Sequence, residues 1–262
     1  MSRPITKRNY YNAPKKFWSA SRCKAFLDCP ARAVAEISGG YERPDTTALL
    51  VGGYVDAAMA GKAEFVRWVQ DHPQIFKKNG ELKAEYSAAD VMIDRMREDK
   101  VFRSFLVGQR QKIMVGEIGG LPFKCKMDFY RKGRWIVDLK TTRDFNPVYL
   151  PEQGRVSFAD AYHYPLQMAI YQELVRQNTG ETLPCYLAVV TKENPPDLAV
   201  IEIPQEVMDA ELEVLKTKLP VWDAMRLGVI EPDRCGHCAY CRQSHKITGP
   251  VRLDEFGGGI IA

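Results

Sequence analysis

The stretch that most constrains the fold of this chain covers residues 125–142, where two strand-like segments flank a basic turn. In the first segment, alternation with a period of two places Asp128 on the polar face. In the second, Asp138 and Lys140 share a face because they are two residues apart. The turn at residues 131–134, which contains a glycine, predicts a hairpin that pairs Asp128 with Asp138. The sequence therefore predicts two carboxylates and one ammonium in one small site.

This donor set indicates a particular chemistry. Carboxylate oxygens suit hard cations such as Mg²⁺ or Mn²⁺ better than Zn²⁺, and these ions commonly act together with a substrate phosphate. A bound metal ion activates water and neutralises charge on a phosphodiester, while Lys140 would orient the attacking water. The alternative is that Asp138 and Lys140 form an ordinary solvated pair on a sheet surface.

An apolar helix predicted after Thr46 or Thr47 carries a single charged residue, Asp56. A carboxylate in such a segment needs a partner or a metal ion, unless it faces solvent along the polar edge of the helix. Both interpretations remain open at this point. Gly52 and Gly53 in the same helix predict that another element approaches its backbone closely.

A later helix, which begins near Pro165, contains Gln167 and Tyr171. The two side chains are four residues apart and so project from one face. Either group could bind a phosphate or a water molecule, whereas the alternative is an amphipathic helix with a buried tyrosine.

Composition favours one core domain with a peripheral module. The chain has 262 residues and 45% hydrophobic content, which is enough for a packed core. The net charge of +4 is too small to indicate a nucleic-acid partner by itself. The sequence has no apolar run of membrane-spanning length and no signal-peptide core, so we expect a cytoplasmic protein with no membrane partner.

Basic residues are concentrated near the N-terminus. Residues 1–24 contain seven Lys or Arg and no acidic residue, and aromatic side chains lie between them. Such an arm could follow a phosphate backbone and stack on bases, or it could be a disordered leader. With the lysines on the polar face of the first strand, the predicted nucleic-acid contacts are Lys15, Lys16, Arg22, Lys124 and Lys126.

The seven cysteines indicate metal binding rather than disulfides. Cys235, Cys238 and Cys241 form a C-x-x-C-x-x-C motif, a spacing that seldom arises from packing alone. Cys29 is the preferred fourth ligand, and it would join the two ends of the chain. His237, His245 and Cys23 are the competing ligands. Four cysteines suit an iron-sulfur cluster, with zinc as the alternative.

Apart from these motifs, the pattern predicts an α/β fold with successive strands in the middle of the chain. The remaining signals predict helices and strands at these positions: helices ending at Cys29 and Gly39, helices over 63–72, Ser87–Arg97 and Gln205–Leu227, and strands over 112–118, 121–130, 135–140, 185–192 and 198–203. The segment between residues 142 and 157 is predicted to be a polar loop that borders a groove.

Together, the order and spacing of these motifs resemble the PD-(D/E)xK nuclease superfamily, and within it the RecB-like and RecE-like exonucleases, which include phage recombination nucleases and exonuclease eight. The resemblance covers roughly residues 19–244. It rests on Asp128, on Asp138-Leu139-Lys140, and on the Q-x-x-x-Y helix of Gln167 and Tyr171. Relatives carry G-x-x-x-H in an upstream helix, where this chain has Gly52 to Asp56.

The resemblance implies a restriction-endonuclease-like core, a mixed central sheet flanked by helices. It also implies that Asp56, Asp128, Asp138 and the carbonyl of Leu139 bind Mg²⁺ or Mn²⁺. Gln167 and Tyr171 would contact the substrate strand near the metal. Some relatives hold a four-iron four-sulfur cluster through one N-terminal and three C-terminal cysteines, although their last two cysteines are usually farther apart in sequence than here.

The implied activity is that of an exonuclease that degrades linear double-stranded DNA from its ends and leaves single strands for an annealing protein, in a host cytoplasm if the chain is phage-encoded. The alternatives are a non-catalytic nucleic-acid-binding protein and an endonuclease of repair or restriction type. The predicted organisation is a basic arm over 1–18, a nuclease core over 19–230, a cysteine module over 231–245 and a tail over 246–262.

Overall fold

The computed structural model describes residues 4–12, 15–151, 153–247 and 249–252. Its centre is a five-stranded mixed sheet with the strand order β1-β2-β3-β6-β7. Strand β2 is antiparallel to both of its neighbours, β1 and β3, while β3 and β6 are parallel and β7 is antiparallel to β6. The sheet strands are β1 (Gln109–Ile118), β2 (Leu121–Arg131), β3 (Trp135–Thr142), β6 (Cys185–Thr191) and β7 (Leu198–Ile203).

Helices cover both faces of this sheet, which confirms the predicted α/β architecture. One hydrophobic core lies between the sheet and helices α1, α8 and α9, and it includes Phe26, Leu174 and Trp222. The other lies between the sheet and α3, α5 and α6. The helices are α1 (Ala20–Asp28), α2 (Pro30–Ser38), α3 (Thr47–Ala60), α4 (Lys62–Asp71), α5 (Ala84–Glu98), α6 (Lys100–Phe105), α7 (Phe158–Ala161), α8 (Tyr164–Thr179), α9 (Gln205–Arg226) and α10 (Ala239–Gln243).

Local sequence signals explain where the first helices begin and end. The Ser19 hydroxyl accepts a hydrogen bond from the Arg22 amide and caps α1. Cys29 ends α1 with extended backbone geometry, and Pro30 then starts α2, where a missing N–H group has no cost. Gly39 ends α2 in the left-handed conformation. Cys29 therefore lies at a sharp junction between two helices.

Three local predictions need correction. Helix α5 begins at Ala84 rather than Ser87. Helix α6 was not predicted, although Asp99 caps it by accepting a hydrogen bond from the Phe102 amide at 2.9 Å. The predicted loop after Thr142 contains a two-stranded hairpin, β4 (Val148–Leu150) with β5 (Gly154–Val156), followed by α7.

The end of the basic N-terminal segment packs against the core rather than extending away from it. Trp18 is fully buried and stacks near Phe26 and Trp222, with ring centroids 5.1 and 6.2 Å away. Its backbone pairs with β2 through the Pro122 carbonyl and the Lys124 amide. In the described part of the chain, no helix is both long enough and apolar enough to cross a membrane.

Candidate active site and cysteine cluster

The candidate active site lies where the hairpin of β2 and β3 opens. Backbone pairing between these strands covers residues 129–131 and 135–137, and it ends before the predicted pair of Asp128 and Asp138. At that point the Asp128 carboxylate, rather than a backbone carbonyl, accepts a hydrogen bond from the Leu139 amide at 2.9 Å. Because the side chain replaces a backbone acceptor, the strands separate and leave room between the two carboxylates.

Helix α3 brings Asp56 to the same place. A Cβ atom at Gly52 would lie 3.5 Å from the Thr141 side chain, an ordinary contact distance, so α3 packs directly beside β3 at this point. The buried Gln111 then links two carboxylates, because its amide nitrogen lies 3.4 Å from Asp56 Oδ1 and 3.3 Å from Asp128 Oδ1. Gln111 adopts a φ of 55°, an unusual value for a non-glycine residue within a strand.

The third carboxylate, Asp138, is 2% exposed and has partners on both oxygens. Its Oδ2 forms an ion pair with the Lys140 ammonium, and its Oδ1 accepts a hydrogen bond from the Gln167 side-chain amide at 2.8 Å. The Gln167 amide also lies 3.1 Å from the hydroxyl of Tyr171, which donates to the Lys126 carbonyl at 3.3 Å. The α8 face that carries Gln167 and Tyr171 therefore points toward Asp138 on β3, as the helix spacing predicted.

Two further residues that sequence reasoning missed belong to this network. The Lys24 ammonium of α1 donates to Gln167 Oε1 at 2.7 Å and lies 4.4 Å from the ring centroid of Tyr164. The Lys140 ammonium lies 5.0 Å from the same ring. From the sequence, Lys24 was only one of several cations in the N-terminal segment, because its partner is 143 residues away.

Burial and mutual repulsion shift the pKa values of the carboxylates in this site. Burial, followed by repulsion from Asp138 and Asp56, raises the pKa of Asp128 well above its usual value. Burial is also the main reason that the pKa of Asp56 is raised, and Asp138 adds to it. Burial lowers the pKa of Lys140, but attraction to Asp138 and Asp128 outweighs it and the net pKa is raised, so this lysine stays charged.

Two other groups have shifted pKa values. Burial, with repulsion from Lys140, lowers the pKa of Lys24 to about 7. Burial raises the pKa of the Tyr171 hydroxyl well above its usual value, so the phenol remains a neutral donor. The site therefore combines three carboxylates, a lysine whose pKa is raised and a second lysine that loses its charge near neutral pH.

Two of the residues predicted to contact nucleic acid form hydrogen bonds to the N-terminal segment. Lys124 is buried, and its ammonium donates to the Tyr10 carbonyl and lies 4.3 Å from the Tyr10 ring. The Arg22 guanidinium donates to the backbone carbonyls of Lys15 and Phe17. Both side chains thus hold the N-terminal segment in place, which neither the basic run around Arg22 nor the alternation in β2 indicated.

The other three predicted contacts lie nearer to solvent. Lys15 and Lys16 are exposed, and the half-buried Lys126 donates to the Tyr11 hydroxyl at 2.8 Å. Attraction to Lys126 offsets part of the rise in the pKa of Asp56, so the charge of Lys126 lies close enough to act on the carboxylate site.

A separate cluster contains the four predicted cysteines. The sulfur atoms of Cys29, Cys235, Cys238 and Cys241 all lie within 4.8 Å of one another. The Sγ of Cys241 lies 3.6 Å from that of Cys29 and 3.9 Å from that of Cys235. The arrangement explains why Cys29 occupies a helix junction, since α2 and α10 meet there.

Backbone amides donate hydrogen bonds to two of the sulfur atoms in this cluster. The Cys238 amide donates to the Cys235 sulfur at 3.3 Å, and the Cys241 amide donates to the Cys238 sulfur at 3.4 Å. Burial opposes ionisation of Cys235, but hydrogen bonds, led by the one from the Cys238 amide, lower its pKa to about 6, whereas burial raises the pKa of Cys29 to about 12 and also raises that of Cys238. His237 uses its ring nitrogen on the Cys235 carbonyl, and Cys23 is buried in the main core, so neither belongs to the group of four.

Comparisons with known proteins agree with this geometry. Residues 19–244 match the family described as PDDEXK-like domain of unknown function (DUF3799). A crystal structure from Eubacterium rectale, described as a "putative exonuclease", aligns with a TM-score of 0.94 at 34% identity, covering 99% of this chain and 100% of that one.

Two other comparisons add nothing to the assignment. The structure of SSO0001 aligns with a TM-score of only 0.30 at 15% identity, over 72% of this chain and 84% of that chain, and carries no argument. A search of curated proteins finds no match. The match of most of the chain to one family, together with the hairpin, the Q-x-x-x-Y helix and the mixed sheet, makes this chain a member of the PDDEXK-like family with the fold of a PD-(D/E)xK nuclease.

Proposed function

We propose that this protein is a deoxyribonuclease that uses Mg²⁺ or Mn²⁺ to hydrolyse linear DNA from its ends. The observation that carries the proposal is the convergence of Asp56, Asp128 and Asp138 around the opening of the hairpin, with Lys140 beside them. A helix that is distant in sequence and the two strands of one hairpin bring these four charged groups into one site. A solvated surface pair would not require this burial or these shared donors.

The donor set suits a hard divalent cation. Burial, together with repulsion among the carboxylates, raises the pKa values of Asp56 and Asp128, so a cation bound between them would stabilise their ionised forms. Asp56, Asp128, Asp138 and the Leu139 carbonyl would hold the ion, all through oxygen. When bound, the metal ion would supply an activated water and would neutralise charge on the scissile phosphate.

The side chains of the protein divide the remaining tasks. Lys140 stays charged and would orient the attacking water, while Gln167 holds the Asp138 carboxylate by its hydrogen bond. The neutral Tyr171 hydroxyl holds the Gln167 amide from the other side. Gln167 and Tyr171 would also contact the substrate strand as it passes the metal site.

Digestion from DNA ends is supported by the relative that aligns over the full length of this chain, which is described as a "putative exonuclease". In such a role the product single strands would be passed to an annealing protein. The alternative of a non-catalytic binding protein gives no reason for one buried and two half-buried acidic groups at one site, since carboxylates repel nucleic acid.

The test uses end-labelled linear duplex DNA with and without Mg²⁺. We expect cleavage by the wild type and a loss of at least about 10²-fold for Asp138→Asn and for Lys140→Ala, since each removes a group that acts on the reacting atoms. Asp45→Asn changes an exposed carboxylate outside the site and serves as the matched control. Equal cleavage by all four proteins would refute the site, DNA binding without cleavage would favour the binding-protein alternative, and cleavage of closed circular DNA would show an endonuclease.

We also propose that the cysteine cluster holds a single tetrahedral Zn²⁺ rather than the four-iron four-sulfur cluster of some relatives. Four thiolates around one zinc ion at about 2.3 Å have sulfur atoms about 3.8 Å apart. The measured sulfur distances of 3.6 and 3.9 Å fit this value. In an iron-sulfur cluster each cysteine binds a different iron, so the thiolates stand farther apart.

Metal analysis of protein purified without oxygen distinguishes the two cofactors. We expect one equivalent of zinc and a colourless protein. Brown protein containing about four equivalents of iron and sulfide would refute the zinc assignment.

A further inference from the structure

A second charged feature lies outside the carboxylate site. A cleft of about 640 Å³ opens between the end of α3, the end of α5, helix α6 and the start of β1. We call it the basic cleft. Among the described residues that line it there are five cations and no carboxylate, and the cations are Lys62, Arg97, Lys100, Arg103 and Arg110.

The cations of the basic cleft have few partners within the protein. Arg97 makes only a long contact of 3.6 Å with Asp94, and Arg110 donates to the Ala60 carbonyl at 3.3 Å. All five are exposed. Lys100 and Arg103 are three residues apart on α6, and like charges at this spacing destabilise a helix. The concentration of positive charge therefore has a cost in the free protein and indicates an anionic ligand.

The position of the basic cleft connects it to the carboxylate site. Ala60, whose carbonyl binds Arg110, is one helical turn beyond Asp56, a rise of about 6 Å. Arg110 is also next in sequence to Gln111, which links Asp56 to Asp128. An anionic chain that occupies the metal site would reach this cleft within a short distance.

The lining also contains apolar groups. Met59 and Leu106 lie among the cations, and Val107 is 49% exposed at the edge. A small free anion needs only polar donors, whereas a nucleotide chain also presents sugars and bases that contact apolar surface.

We propose that the basic cleft binds the phosphate backbone of the DNA strand next to the bond that is cleaved. This proposal rests on the proposed nuclease function and assigns the strand's path. The basic cleft replaces part of the nucleic-acid surface predicted from the sequence, because the Arg22 and Lys124 side chains donate hydrogen bonds to backbone carbonyls of the N-terminal segment.

The test is an equilibrium binding measurement with a fluorescent duplex oligonucleotide. The protein carries Asp138→Asn and no divalent cation is added, so that DNA is bound without cleavage. The cleft variant adds Lys100→Gln with Arg103→Gln. The matched control adds Lys216→Gln with Lys218→Gln, two exposed lysines of α9 on the other side of the sheet.

Two lost phosphate contacts should reduce the slope of log K against log salt by about 1.8 and weaken binding about 60-fold at 0.1 M salt. The control should bind within about twofold of its parent. Equal affinities of the cleft variant and the control would overturn the proposal. Displacement of DNA by a deoxynucleoside monophosphate at similar affinity would also overturn it, because the cleft would then be a site for a small anion.

Failure of this inference is distinguishable from failure of the proposed function. Metal-dependent cleavage by the otherwise wild-type chain is measured separately on end-labelled DNA. If cleavage occurs while the cleft variant binds normally, only the basic cleft is wrong. If the wild type neither binds nor cleaves DNA, both proposals are wrong.

Discussion

Replacing Asp128 with Asn should stabilise the metal-free protein, even though Asp128 lies in the proposed active site. Its Oδ1 atom and that of Asp56 lie 3.3 and 3.4 Å from the same nitrogen of Gln111, so the two oxygens are no farther apart than the sum, 6.7 Å. At that greatest separation, two unit charges repel each other by about 2.5 kcal/mol with an effective dielectric constant of 20.

The substitution keeps most of the hydrogen bonds. An Asn at position 128 still offers an oxygen to the Leu139 amide, and Gln111 keeps its hydrogen bond to Asp56 while it loses the one to position 128. Lys140 and Lys126 already offset part of the repulsion. We therefore expect a net gain of about 1 to 2 kcal/mol, which corresponds to a rise in Tm of roughly 3 to 6 °C for a chain of this size.

The raised pKa of Asp128 determines how the stability difference between Asp128→Asn and the wild type changes with pH. A carboxyl group whose folded pKa is above its unfolded value contributes stability below the unfolded pKa, and this contribution is lost as pH rises through the folded pKa. The advantage of Asp128→Asn should thus be largest at neutral pH and should vanish near pH 4. Thermal unfolding without added divalent metal, followed across this range, measures it.

Added Mn²⁺ should make the wild type more stable than Asp128→Asn, the reverse of their order without metal. The wild type gains stability from the bound ion, whereas Asp128→Asn gains little because it has lost a charged ligand. Asp45→Asn, an exposed carboxylate, should show neither effect. A lower Tm for Asp128→Asn than for the wild type at pH 7 without metal would refute the argument that repulsion between Asp56 and Asp128 destabilises the metal-free site.

Three further perturbations have defined outcomes. Lys24→Gln should lower the cleavage rate below pH 7, and the ratio of wild-type to variant initial rates should fall as pH rises through 7, because the Lys24 ammonium that donates to Gln167 is then lost. Cys29→Ser should lose bound metal on elemental analysis and lower the Tm, whereas Cys23→Ala should keep the metal. Trp18→Ala should cost about 3 to 5 kcal/mol in thermal unfolding, since it empties a fully buried site, and an unchanged Tm would contradict that placement.

The central hairpin could be predicted from local rules. Alternation placed Asp138 and Lys140 on one face, and a spacing of four placed Gln167 and Tyr171 on another, because both depend only on the periods of strands and helices. These features require no knowledge of distant contacts. The mixed sheet, in contrast, was expected from the resemblance to the nuclease superfamily.

The remaining contacts depend on tertiary packing that the sequence does not display. Gln111 reaches two carboxylates through a single left-handed backbone conformation in a strand that otherwise reads as regular. Lys124 looks like an outward-facing lysine by alternation, yet the N-terminal segment covers that face and buries it. The basic cleft also escaped prediction, since its cations come from four separate elements.

The cysteine cluster and the carboxylate site are physically connected through α1. This short helix carries Lys24, whose ammonium fixes Gln167, and it ends at Cys29 within the cluster. Gln167 can direct its NH₂ group at Asp138 only while its oxygen has a donor, so the position of α1 helps to orient the Asp138 carboxylate. A metal ion at the cysteines would fix one end of this helix. Its loss in Cys29→Ser should therefore reduce cleavage as well as stability, and the reduction should be smaller when Lys24 is already Gln, because the connection between the two sites is then broken.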